Sequence, residues 1–93
     1  MARDDITRLG KNLMDDRFSF VPGGEQDLHD VYNLVKHRYP DLCDDDFLCE
    51  MNCSSGHNRP EWEHEVRRVL DKLKKPKGPL EKPKKRPRIW IFP

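Results

Sequence analysis

The sequence predicts a small α+β domain, a three-helix core followed by a two-stranded basic hairpin. Three observations lead there. Apolar residues recur at helical spacing over 26–39 and again over 60–75, prolines close both segments, and a short aromatic β-type segment, Ile89 to Phe92, follows a Lys/Pro-rich stretch. A chain of 93 residues, 34% hydrophobic and 38% charged, has enough apolar surface for one core and too little for two.

The first 24 residues read as a helix and arm ahead of a domain spanning 25–93. Asp4 or Asp5 can cap a helix carrying Ile6, Leu9 and Leu13, and Asp15-Asp16 ends it in a turn. Phe18, Phe20 and Val21 suggest a short strand or extended arm whose rings plug the core, and Pro22-Gly23-Gly24 breaks the chain. From Gln26 to Tyr39, Leu28, Val31, Tyr32, Val35 and Tyr39 form one apolar stripe, and Pro40 stops that helix. Leu42, Phe47, Leu48 and Met51 then line a short second helix behind Asp-rich capping residues, and 52–59 reads as a loop.

Pro60 suits the first turn of a third helix, where Glu61, Glu63 and Glu65 favour the positive end of the helix dipole. Trp62, Val66, Val69, Leu70 and Leu73 make its buried stripe. His64, Arg67, Arg68, Asp71 and Lys75 fall opposite. Beyond Pro76, residues 79–83 and 88–92 read as two strands joined by the basic tip Lys84-Lys85-Arg86-Pro87. Helix, short helix, charged helix and basic hairpin, in that order, describe a small winged helix with a C-terminal two-stranded wing.

Charge sharpens the functional expectation. The net charge of +1 hides a division at Arg59: residues 1–59 hold 7 Lys/Arg against 12 Asp/Glu, whereas residues 60–93 hold 11 against 5. A basic end of this kind is the footprint of phosphate-backbone binding, and the bland alternative is a solvated tail. In a winged helix the last helix enters the major groove, which makes His64, Arg67, Arg68 and Lys75 candidate readers. Lys84, Lys85, Arg86 and Arg88 are spaced to neutralise phosphates. The expected partner is double-stranded DNA. The competing expectation is a protein-interaction module of the same fold, with Trp62, Trp90 and the arm phenylalanines supporting a docking surface.

The stretch Leu28–Phe92, about two thirds of the chain, resembles the winged-helix modules attached to prokaryotic restriction endonucleases of the Mrr and HNH kinds. The resemblance is carried by V-Y-x-x-V at Val31, Tyr32 and Val35, by P-E-W-x-H-x-V-R from Pro60 to Arg67, by L-x-x-L-K-K from Leu70 to Lys75, and by the closing Ile89-Trp90-Ile91-Phe92. It implies a DNA-reading domain of a restriction or regulatory system, one that positions a separate nuclease domain and whose reader is the helix face around Arg67 and Arg68. The chain departs from that pattern in having Lys and Pro where the wing tip usually has glycine, and in its cysteine-containing insert.

That insert holds Cys43, Cys49, Cys53 and His57, a C-x5-C-x3-C-x3-H spacing whose four ligands are able to close around zinc; the alternative is free cysteines. An odd cysteine count and the acidic N-terminus MARDDITRLG lead to the expectation of an intracellular, cytoplasmic protein with no membrane association. No catalytic set is legible. His64-Glu65 lacks the second histidine of a zinc-protease helix, no glycine-rich phosphate loop occurs, and Asp44-Asp45-Asp46 reads as capping. The chain is expected to be a binding module and not an enzyme.

Overall fold

The computed structural model describes residues 2–48 and 59–93. Helix α1, Ala2–Asp16, carries Asp4 and Asp5 in its first turn, where they complement the helix dipole. It buries Ile6, Leu9 and Leu13 against the third helix. The Glu65 carboxylate of the third helix occupies the space beside Gly10 where a Cβ would stand.

The chain leaves α1 through a tight reversal. Arg17 donates its N–H to the Leu13 carbonyl at 2.8 Å, and Arg17 and Phe18 take left-handed φ values of 53° and 56°. The segment RFSFV is therefore a turn, where the sequence suggests a strand or arm. Two successive left-handed residues cannot lie in a pleated strand, but they do drop Phe18 into the core, where it meets Phe92 edge-on at 6.0 Å.

Strand β1 comes later, at Gly24–Asp27, and opens on Gly24 with φ +104°. Helix α2 accordingly starts at Leu28 and runs to Arg38, two residues inside the expected start at Gln26. Asp27 explains that boundary: its backbone is still extended, and its carboxylate accepts the His29 N–H at 2.8 Å as the N-cap. Leu28, Val31, Tyr32 and Val35 face inward as the periodicity requires.

The expected short helix from Leu42 is reduced, among the described residues, to a single 3-10 turn at Pro40–Leu42 followed by turns. Of the aspartates that suggested capping, Asp44 bonds locally and Asp45 bonds to Lys36 and Trp62. Asp44 accepts the Asp46 N–H at 2.9 Å, an arrangement that competes with helix propagation. Met51 lies outside the described residues.

Helix α3, Glu61–Lys72, has Pro60 as its N-cap. Trp62, Val66, Val69, Leu70 and Leu73 are buried, and the Trp62 ring packs edge-on against Tyr32 at 5.8 Å while its Nε1–H donates to Asp45 at 2.9 Å. Past α3 the chain doubles back, with the Lys75 N–H on the Leu80 carbonyl and the Leu80 N–H on the Leu73 carbonyl. Strand β2, Ile89–Phe92, buries Trp90 and Phe92.

Sheet pairing departs from the simple hairpin. The two-stranded antiparallel sheet joins β1 to β2, with Gly24 opposite Phe92 and Asp27 opposite Ile89. Residues 79–83 do not form a strand: Pro79 and Pro83 have no N–H to offer a ladder, and only Glu81 pairs with Ile91, through reciprocal bonds of 3.0 and 2.8 Å. Strand β2 thus lies between β1 on one edge and Glu81 on the other. The molecule is a small α+β fold in which three helices, α1 included, share one core with the sheet.

Candidate nucleic-acid interface

Helix α3 separates its two arginines. Arg68 turns toward the α1 flank, where its guanidinium meets the carboxylates of Glu61, at 3.1 Å, and Glu65. Arg67 is half-buried on the opposite flank and has no carboxylate within 4.0 Å among the described residues. The adjacent pair of the sequence is one engaged cation and one available cation.

On the Arg67 side, the end of α3 and the hairpin enclose an open groove of about 720 Å³ whose walls include Lys74, Lys75, Lys82 and Lys84. Lys75 is bound to Glu81 at 2.9 Å across its mouth. Lys82 reaches over the Trp90 ring, with its ammonium 4.7 Å from the ring centroid. Burial holds that ammonium below the usual lysine range; Arg67 and Lys74 add to the effect, and Asp71 opposes it. Crowding of like charges is unfavourable unless an anion relieves it.

The hairpin tip divides as well. Lys84 and Lys85 are exposed and make no ion pair among the described residues, whereas Arg86 is tied to Glu25 and Arg88 stands 3.5 Å from Asp27, both on β1. These two pairs pin the basic tip to the sheet. His64, Arg67 and Arg88 come together with Arg59, Glu63, Leu28 and Tyr32 around a second, smaller cavity of about 110 Å³. Burial pushes the Tyr32 hydroxyl up to about 12, against the pull of Arg67, Arg59 and Arg88.

Arg59, Lys74 and Lys82 are missing from the set named on sequence grounds. Lys74 lies past the end of α3 at Lys72, in the reversal that pairs it with Leu80. Lys82 and Arg59 carry no local pattern; only the reversal at 73–80 and the approach of β2 bring them in.

Trp62 and Trp90 are each 3% exposed and Phe18 is 2% exposed, so they build the core and offer no docking face. Cys43 is buried and its thiol is pushed up to about 12 by that burial, with Lys36 opposing. Cys49, Cys53 and His57 lie outside the described residues, and so does the geometry of the expected zinc set. Among the described residues no group of three His, Cys, Asp or Glu is placed to hold a metal, and no helix is long and apolar enough to cross a membrane.

No family model matches this chain, and no characterised protein or solved structure matches it either.

Proposed function

We propose that the chain is a winged-helix module that binds double-stranded DNA, with α3 directed at the major groove and the 79–92 hairpin laid on the neighbouring phosphates. The element order supports the fold reading: helix, strand, helix, helix, then a segment over 79–92 whose one strand lies between the first strand and residue 81. In this arrangement α2 and α3 form the helix-turn-helix, and α1 supports them from behind. The setting implied by the resemblance is a restriction or regulatory system in which the module positions a nuclease domain.

One observation carries the binding reading. Arg67, Lys74, Lys82, Lys84 and Lys85 gather along α3 and the hairpin without an ion pair within 4.0 Å among the described residues. Of the other cations in 60–93, Arg68, Lys75, Arg86 and Arg88 are neutralised, while Lys72 and Lys77 are exposed and do not line the groove. Three of these, Lys74, Lys82 and Lys84, line one groove, and unneutralised cations so placed attract a polyanion and release its counterions.

The test is a titration of labelled duplex of mixed sequence at about 50 mM salt, a low-salt condition that favours phosphate contacts. Lys74→Ala with Lys82→Ala is expected to weaken binding by about tenfold or more, as is Arg67→Ala, whereas Arg68→Ala changes it by less than about threefold. Equal losses for Arg67→Ala and Arg68→Ala would sink the assignment of the interface to the Arg67 flank. Absence of binding by the unaltered chain would sink the function.

A further inference from the structure

The small cavity between α2 and α3 has features that general duplex attraction does not require. Three arginines, Arg59, Arg67 and Arg88, line a space of about 110 Å³. Two carboxylates stand nearby, each facing an arginine, and the buried Glu63 Oε1 accepts no hydrogen bond among the described residues. Glu63 is bridged by Arg59 at 3.2 Å, while Asp27 faces Arg88 and caps α2 through the His29 N–H. Arg67 is the cation left over. His64 Nε2 is buried and has no hydrogen-bond partner among the described residues, an arrangement that costs stability until something bonds to it. The Tyr32 hydroxyl also lines the cavity; it is protonated at neutral pH, as an ordinary phenol is, and so it is able to donate.

Size selects the ligand. A space of 110 Å³ holds about three or four waters' worth of liquid, which suits one tetrahedral oxyanion. It falls well below the roughly 300–1,000 Å³ of pockets that enclose a drug-sized molecule, so a nucleobase or nucleoside does not fit. Guanidinium forks match phosphate oxygens two at a time, and a proton on His64 Nε2 completes a donor set around such a group.

We propose that this cavity is a receptor for a single phosphate group, held by Arg67, Arg88 and Arg59 with His64 donating through Nε2. The pocket stands independently of the DNA-binding reading, and only the source of the phosphate rests on it. That source is either an internal phosphodiester of a duplex or a terminal 5′-phosphate. Arg67 borders the cavity and also acts on Lys82 of the open groove, so an occupied pocket fixes the end of a backbone path that continues along the lysines.

The experiment is a titration of the whole chain with inorganic phosphate at constant ionic strength, chloride making up the balance. It is followed through the arginine Nε–Hε and His64 ring resonances. The expected result is a saturable shift at Arg59, Arg67, Arg88 and His64 together. Affinity should fall at least tenfold in Arg67→Ala and severalfold in Arg67→Lys, which keeps the charge and loses the fork, and also in His64→Leu. Folding of each variant is verified by the unchanged remainder of its spectrum. Non-saturable shifts, shifts confined to the lysine groove, or equal affinity in all variants overturn the pocket.

Duplexes with and without 5′-phosphates then identify the source. Loss of affinity in His64→Leu for both supports an internal phosphodiester, and loss only for the phosphorylated duplex supports a terminal phosphate. Uptake of inorganic phosphate without any duplex binding keeps the pocket and removes the DNA reading. Duplex binding that leaves the four cavity resonances unmoved removes the pocket and keeps the DNA reading.

Discussion

At the scale of single residues, the turn after α1 holds two side chains in a backbone region that costs an L-residue about 1–2 kcal/mol. Phe18 has a reason to be there, because its ring is 2% exposed in the core. Arg17 is exposed and makes no ion pair among the described residues. Arg17→Gly is therefore expected to stabilise the fold by about 0.5–1 kcal/mol, read as a higher denaturant midpoint at unchanged slope. A lower midpoint would mean that the arginine side chain contributes something its exposure hides.

Asp45 offers a pH test at the same scale. It accepts hydrogen bonds from the Lys36 ammonium and the Trp62 indole, and these, in that order, hold its carboxyl below the usual carboxylate range. The folded state thus binds the proton less readily than the unfolded chain. The stabilisation is complete above the ordinary aspartate pKa, roughly 3.9, and disappears as pH falls through the depressed value. Asp45→Asn should be less stable than the parent at pH 7, and the gap should close as pH is lowered toward about 2. Unfolding midpoints measured along that series settle the matter, and a gap independent of pH would refute the linkage.

At the scale of elements, the long amphipathic helices were legible and the short elements were not. The stripes of α2 and α3 repeat over three turns, so burial of one face decides the structure whatever the neighbours do. Strand β1 has four residues, GEQD, with no apolar alternation. It is a strand because β2 supplies its hydrogen-bond partners, and nothing within Gly24–Asp27 announces that partner. The same reason displaced the expected strand into RFSFV, where β propensity is high but the backbone turns. The candidate interface follows this division. Residues on α3 were readable from spacing, whereas the fates of Arg68, Arg86 and Arg88 depended on carboxylates contributed by the helix's own first turns and by β1.

The return from α3 to the hairpin is the element on which the groove depends. At Gly78 a Cβ would stand 2.2 Å from the Leu73 carbonyl oxygen and 2.5 Å from its carbon, both backbone atoms with little freedom to move. Gly78→Ala is expected to destabilise the chain by about 1–3 kcal/mol, the usual range for forced overpacking. Thermal unfolding measures this directly. An unchanged midpoint would show that the turn has room the structure does not give it.

At the scale of the whole molecule, the division of charge is more useful than its total. The acidic half supplies Glu25 and Asp27, which anchor the hairpin, and the basic half leaves seven cations without ion pairs among the described residues, five of them the set assigned to the interface. If those five each displace one condensed counterion, log Kd for duplex should change with log salt at a slope of about 4.5 in magnitude. Removing Lys74 and Lys82 together should lower it by about 2. A slope near zero for the unaltered chain would place the binding energy in contacts other than phosphate.

The position of β2 between β1 and Glu81 has a consequence for how the molecule is made. Strand β1 is synthesised early, yet every backbone partner it uses in the sheet lies between Ile89 and Phe92. Until Ile89–Phe92 is in place the basic segment has no sheet to hold it beside Glu25 and Asp27. Loop closure over more than sixty residues comes last. The groove acquires its shape in the same event that completes the sheet, so an interrupted chain carries the lysines without the surface that aligns them.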